Sequence, residues 1–126
     1  MGLFSRIRKR MAYNRLAWLE HYLVEVHSSG FSLLEERPNG PPKVAAAEWS
    51  QVSRVVLLDG GLGSDQFFIY LAGQKDAICV PTEATGGSAF WGELTNRGLF
   101  PHEVSGLAVR SATPGALYEW PPSQSA

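Results

Sequence analysis

Short apolar runs rich in β-branched and aromatic residues succeed one another through the middle of the chain, each closed by glycine, proline or polar turn residues. They cover 22–27, 31–35, 52–58, 66–71 and 77–80. The run 43–47 is ambiguous, because its alanines favour a helix and its surroundings favour a strand, and it is predicted to be a further short strand. Runs of this length between turn residues are typical of antiparallel strands. Because Ser28-Ser29-Gly30 supplies a turn, the first two runs predict a hairpin from about 22 to 36. The sequence therefore predicts that most of the core is built from strands.

One segment late in the chain has helical spacing. Residues 88–97 follow a small-residue turn, Ser88 is a suitable N-cap, and Gly98 is a suitable C-terminal stop. Beyond Phe100 the signals are mixed, and they predict an edge strand at 104–109 followed by an irregular tail.

Charge is distributed unevenly along the chain. The net charge is −1, yet residues 1–15 carry five basic side chains and no acidic one, and the other 111 residues carry six basic and twelve acidic ones. The basic residues of this segment are Arg6, Arg8, Lys9, Arg10 and Arg15. Apolar residues recur there at spacings of three or four, so the segment 3–20 is predicted to be an amphipathic helix with a basic outer face.

Three interpretations of this basic helix stay open. Its arginines and lysine are candidate contacts to an anionic membrane surface or another phosphate-bearing partner. Its apolar stripe would otherwise pack on the core of the domain or on a second subunit, which would make a homo-oligomer. A mitochondrial-type targeting segment has the same arginine-rich, acid-poor composition. Because the basic block is short, nucleic-acid recognition is not expected.

Motifs that carry chemistry are weak throughout the sequence. The glycine-rich run 59–65 precedes a strand rather than a helix, which argues against a phosphate loop. Cys79 is the single cysteine and lies in an apolar run, so it is predicted to pack as a small hydrophobe, and a reducing cytoplasm is the expected location. No spacing of histidines fits a zinc site. We therefore predict no catalytic residue, no metal and no cofactor.

Trp120 is the aromatic residue whose position is most informative, because it stands beside Pro121-Pro122 near the C-terminus. Such a tryptophan either clamps the tail onto the domain or presents an anchor to a partner protein. The sequence alone leaves both roles open.

The order of features from 21 to 99 resembles bacterial pleckstrin-homology-like domains. A strand pair is followed by Glu48-Trp49-Ser50 and the next strand, then by two further strands, and Val80-Pro81-Thr82-Glu83 leads through small residues into the helix. The resemblance implies a strongly bent antiparallel sheet or partial barrel, closed by the helix near 88–97. It also implies a binding scaffold, as in several toxin-immunity families of similar build.

These observations together predict an α+β protein with a basic helix at 1–20, one domain at 21–120 and a disordered tail at 121–126. The expected function is a non-enzymatic, immunity-like protein-interaction module in the bacterial cytoplasm, with an unidentified protein partner. The alternative is a peripheral membrane protein that uses the basic N-terminal helix.

Overall fold

The computed structural model describes residues 18–61, 64–111 and 113–122. In chain order its strands and helices are β1 (Tyr22–Val26), β2 (Gly30–Glu35), β3 (Lys43–Glu48), β4 (Val52–Leu58), β5 (Gln66–Leu71), β6 (Ile78–Pro81), α1 (Gly87–Asn96), α2 (His102–Ser111) and β7 (Leu117–Trp120). Short 3₁₀ helices, Trp18–His21 and Trp49–Gln51, precede β1 and β4. The predicted α+β class is confirmed.

The described strands form two antiparallel sheets, neither of them closed. The first sheet has the order β1-β2-β3, and the second has the order β6-β5-β4-β7. The predicted hairpin at 22–36 is confirmed as β1 and β2, with Val26 opposite Phe31 and Tyr22 opposite Glu35. The run 52–58 is confirmed as a central strand, because β4 lies between β5 and β7.

Aromatic side chains join both sheets to α1. Phe31, Phe67, Phe90 and Phe100 are fully buried. Phe90 on α1 contacts Phe31 of the first sheet, with ring centroids 4.9 Å apart, and Phe67 of the second sheet at 6.0 Å. Phe67 also meets Phe100 edge to face at 5.4 Å. These contacts bury the inner faces of both sheets around α1, which is the main source of hydrophobic stabilisation in the described domain.

The start of α1 differs from the sequence prediction in its cap. The helix begins at Gly87 rather than Ser88, and its N-cap is Gly86, in the left-handed conformation with φ of +83°. Ser88 is an exposed residue within the first turn. A side chain at Gly86 would run into the carbonyl oxygen of Val24, so the chain needs glycine where the helix approaches β1. The predicted stop at Gly98 is confirmed, with φ of +72°.

The segment after α1 is the part that the sequence predicted wrongly. Residues 104–109 belong to the helix α2 rather than to an edge strand, with Ala108 buried and Val104 packed against the core. The irregular tail predicted there contains the strand β7, which pairs with β4 from Val55–Trp120 to Leu58–Leu117. Local turn residues suggested irregular structure, whereas pairing with a distant strand decides the conformation.

Parts of the predicted termini lie outside the described residues. Of the predicted helix 3–20, only the last residues are described, and Trp18–His21 is a 3₁₀ helix in which Leu19 is buried. The predicted tail 121–126 is described as far as Pro122. None of the helices in the described part of the chain has the length and apolar character needed to cross a membrane.

Candidate binding cleft and strand edge

A row of three polar side chains crosses one end of the first sheet. Tyr22 on β1 is directly opposite Glu35 on β2, and Glu35 is directly opposite Lys43 on β3. Residues paired in this way project from the same face of a sheet. The Tyr22 hydroxyl donates a hydrogen bond to Glu35 Oε1 at 3.2 Å. The pairing of three strands therefore places a phenol, a carboxylate and an amine side by side.

This row borders a cleft of about 500 Å³, which extends from the first sheet to β6. Leu33 and Ala45 line it on the first sheet, together with the polar row. Its other side is lined by Gln66, Ile78, Cys79 and Pro81, and residues 74, 76 and 77 complete the rim. The volume lies within the range of roughly 300–1,000 Å³ that is typical of ligand pockets.

Two side chains in the cleft, Tyr22 and Cys79, favour their protonated forms. Burial, and then the negative charge of Glu35, raise the pKa of the Tyr22 hydroxyl above its usual value. Burial also raises the pKa of the Cys79 thiol, which donates a hydrogen bond to Gln66 Oε1 at 3.0 Å. A thiol that keeps its proton is a weak nucleophile. The arrangement is therefore suited to binding through hydrogen bonds and apolar contact rather than to nucleophilic attack by Cys79.

The hydrogen bonds from β3 to β2 alternate along the strand, as in any antiparallel pair. Just beyond β3, Trp49 donates its backbone N–H to the carbonyl oxygen of Ser29 at 3.0 Å. The backbone groups of every second residue before Trp49 must point the same way, toward β2. These residues are Ala47, Ala45 and Lys43. The N–H and C=O groups of the residues between them therefore point away from the first sheet.

Val44 and Ala46 are these outward-pointing residues, and they form the open edge of β3. Within the described residues, β2 is the one strand that pairs with β3. Pro42, just before β3, has no N–H to offer, and at the other end the N–H of Glu48 donates to Gln51 Oε1 at 2.9 Å. The open edge is thus limited to two residues, and the side chain of Val44 is 61% exposed.

The opposite edge of the same sheet is occupied. The alternation places the backbone groups of Tyr22 and Val24 on the outer edge of β1. Val24 donates its N–H to the Thr85 carbonyl oxygen at 2.8 Å, and Thr85 donates its own N–H to the Tyr22 carbonyl oxygen at 3.3 Å. These two bonds confirm that Tyr22 and Val24 direct their backbone groups away from β2. The two edges differ because the segment before α1 covers β1, whereas no strand in the described part of the chain covers the outer edge of β3.

Of the site residues predicted from the sequence, Trp120 is the one that the structure describes, and it does not line this cleft. The five basic residues Arg6, Arg8, Lys9, Arg10 and Arg15 lie outside the described part of the chain. Trp120 lies on β7 opposite Val55 and is 37% exposed. Its role as a partner anchor stays a prediction, although the strand that carries it is held to the second sheet.

Other polar groups that the sequence singled out have local partners. The carboxylates of Asp59 and Asp65 accept backbone N–H bonds at 2.8 Å from Gly61 and Gly60, so they hold their own loop together. His21 Nδ1 lies 3.8 Å from Glu36 Oε2. Across the described ranges, no three histidine, cysteine or acidic side chains are grouped closely enough to hold a metal ion.

Sequence reasoning missed the polar row because its members lie on three separate strands. Strand alternation could have placed Tyr22 on the same face as Val24, and Glu35 on the same face as Leu33. It could not have shown that Lys43 pairs with Glu35, since the register of β3 follows an exposed loop of several residues.

Comparisons of the chain with known protein families, with curated proteins and with solved structures find no match. The cleft and the open edge of β3 are therefore the features of this chain that bear on its function.

Proposed function

We propose that this protein is a non-enzymatic cytoplasmic interaction module that binds an extended segment of another protein along the open edge of β3. The observation that carries the proposal is the outward direction of the backbone groups of Val44 and Ala46 beside a cleft of about 500 Å³. An unpaired strand edge is a template for a further strand. In such binding, backbone hydrogen bonds supply affinity and neighbouring pockets supply specificity.

The side chains of β3 support this use of the edge. Between Lys43 and Glu48 the strand contains only Val44 and three alanines, so no charge or bulky side chain lies across the open groups. Natural proteins usually protect an exposed edge with charges, proline or a bulge. Here Pro42 and the bond from Glu48 to Gln51 restrict only the two ends of β3.

We propose further that the domain is a pleckstrin-homology-like scaffold. Two antiparallel sheets pack around α1, whose Phe90 and Leu94 are fully buried. We propose that the two sheets form a partial barrel, with α1 at one opening and the cleft between β3 and β6 at a gap in the wall. A scaffold of this kind holds the edge of β3 rigid, which reduces the entropic cost of binding a segment there.

The edge can be tested by changing one backbone donor. Ala46→Pro removes an N–H that points away from β2, and proline is tolerated at such edge positions. Ala46→Val keeps the N–H and is the matched control. Short random peptides selected by phage display against the full chain should bind the wild-type protein and Ala46→Val. They should bind Ala46→Pro roughly tenfold more weakly, because one backbone hydrogen bond is lost.

Thermal unfolding of each variant shows whether Ala46→Pro still folds. A selection that yields no peptide, or peptides that bind folded Ala46→Pro as tightly as the wild-type protein, would overturn the proposed use of β3. Self-association that Ala46→Pro abolishes would instead assign the edge to a second copy of the chain.

The basic segment 1–15 favours a second candidate function, association with an anionic membrane surface. Its five basic residues contrast with the acidic remainder of the chain. Binding to vesicles that contain phosphatidylserine should weaken as salt rises and disappear when residues 1–15 are deleted. Equal sedimentation of the truncated and full chains would exclude this candidate.

A further inference from the structure

We infer that the segment bound along β3 carries one large, uncharged apolar or aromatic side chain, which occupies the cleft opposite Ala45. This inference rests on the proposed function, and it names the chemistry of the partner that the site would select.

The direction of the guest side chain follows from the geometry of β3. Lys43 and Ala45 line the cleft, whereas Val44 and Ala46 project from the other face of the strand. A strand added beside β3 alternates in the same way, so its residue opposite Ala45 points toward the cleft. Because the backbone groups of Ala45 are bonded to β2, an antiparallel guest would form a non-hydrogen-bonded pair there, in which side chains approach more closely.

The apolar part of the cleft fits a large side chain. Ile78 is half-buried and Leu33 is 7% exposed, and they supply apolar contact surface, while the fully buried Pro81 backs the lining. Ala45 and Ala77 contribute only methyl groups to the lining, which leaves the space between them open. An aromatic side chain that fills such a space contributes most of its stabilisation through apolar burial.

The polar part of the cleft does not favour a charged guest. Lys43 and Glu35 stand opposite each other in the register and have opposite charges. Asp76 lies at the exposed rim, where water screens its charge. The Cys79 thiol donates to Gln66, and the Tyr22 hydroxyl donates to Glu35. A charged side chain of either sign would lose hydration and would face a like charge as well as an opposite one, since Glu35 and Lys43 both line the cleft, which is unfavourable.

The same displayed peptides test this inference. Those that require the Ala46 N–H should share one position enriched in phenylalanine, tyrosine, tryptophan or leucine. Replacing that residue with alanine should weaken binding about tenfold or more, as for an interface anchor. Replacing it with lysine or glutamate should weaken binding at least as much.

Filling the cleft provides the second arm of the test. Ala77→Phe on the far wall and Ala45→Leu on β3 should each weaken these peptides, with unfolding midpoints recorded to confirm folding. Ala72→Phe, at an exposed turn outside the cleft, is the matched control and should bind normally.

The outcomes distinguish failure of the cleft inference from failure of the proposed binding along β3. Peptides that depend on the Ala46 N–H but show no apolar preference, or that bind both filled variants normally, would overturn the cleft inference and leave the use of the edge intact. Enrichment in a charged residue would also overturn it. If no peptide depends on the Ala46 N–H, the proposed function fails, and the cleft inference fails with it.

Discussion

The guanidinium carbon of Arg97 lies 4.8 Å from the centroid of the Trp49 ring. The same side chain donates to Glu93 Oε1 at 2.7 Å and to the backbone oxygen of Ser28 at 3.1 Å. Arg97 follows α1, and Ser28 lies in the turn between β1 and β2. One side chain at the end of α1 is thus bonded to the β1–β2 turn and stacked on a buried aromatic ring.

Loss of Arg97 should therefore weaken the attachment of α1 to the first sheet. We expect Arg97→Ala to lower the free energy of unfolding by about 1–2 kcal/mol, since a cation–π contact and a bond to a backbone oxygen are lost together. Urea denaturation measures this. Lys75→Ala, at an exposed loop position, is the control; a loss no larger than that of the control would contradict the prediction.

Gly86 should tolerate alanine much less well than Gly73, although both have positive φ. A methyl group at Gly86 would collide with the Val24 carbonyl oxygen, whereas the space around Gly73 is open. Gly73→Ala should cost about 1–2 kcal/mol from backbone strain alone. Gly86→Ala should cost roughly 3 kcal/mol or more because the approach of the helix to β1 is disturbed as well. Equal costs in chemical denaturation would show that the close approach is unimportant.

Ser105 should stabilise the protein through Trp91, and Ser88 should not matter. The Trp91 indole N–H donates to Ser105 Oγ at 3.1 Å, and Ser105 Oγ donates to the Phe100 carbonyl oxygen at 3.3 Å. We expect Ser105→Ala to cost about 1–2 kcal/mol because a partly buried indole N–H loses its acceptor. Ser88→Ala should change stability by about 0.5 kcal/mol or less. If Ser88→Ala lowered stability by more than this in thermal unfolding, Ser88 would have to act as a helix cap.

The Cys79 thiol should make stability depend on alkaline pH. Burial raises its pKa above the ordinary value of 9.0, so the folded state favours the protonated form. The stabilisation from this preference is complete below the ordinary pKa and is lost as the pH rises through the raised one. Cys79→Ala should therefore show a shallower fall in the free energy of unfolding on the alkaline side. Parallel curves for the two proteins would contradict this sign.

Ionisation of the Tyr22 hydroxyl should also lower the free energy of unfolding at alkaline pH, beginning at a higher pH than ionisation of Cys79. Its ordinary pKa is 10.0, and burial together with Glu35 raises it. Tyr22→Phe should flatten the stability curve above that pH, and an unchanged slope would contradict the prediction. Ultraviolet titration of phenolate absorbance in the wild-type protein and Tyr22→Phe provides a second readout.

The parts of the fold that were predictable from sequence are those with local signals. Strand-forming runs bounded by turns located β1 to β6, and small residues before an apolar pattern located α1. The helix α2 was missed because Val104 and Val109 suggested a strand, whereas Val104 and Ala108, four residues apart, pack inward and Val109 is exposed. The strand β7 was missed because β4, its partner, lies far away in the chain.

The cleft was beyond sequence reasoning for a related reason. Tyr22, Glu35 and Lys43 come together only when three strands adopt one register, and no local pattern specifies the pairing after the loop at 37–42. The open edge had a visible signal in the alanines between Lys43 and Glu48. These alanines indicate an open edge only once the strand order shows that β3 is an edge strand.

The limited length of the open part of β3 has a consequence for solubility. Growth of a fibril needs several consecutive residues that can stack on identical chains. Val44 and Ala46 together offer two donors and two acceptors, and Pro42 and Glu48 stop the ladder from extending past them. Among the described residues, the uncovered part of β3 is therefore too short to nucleate a fibril readily.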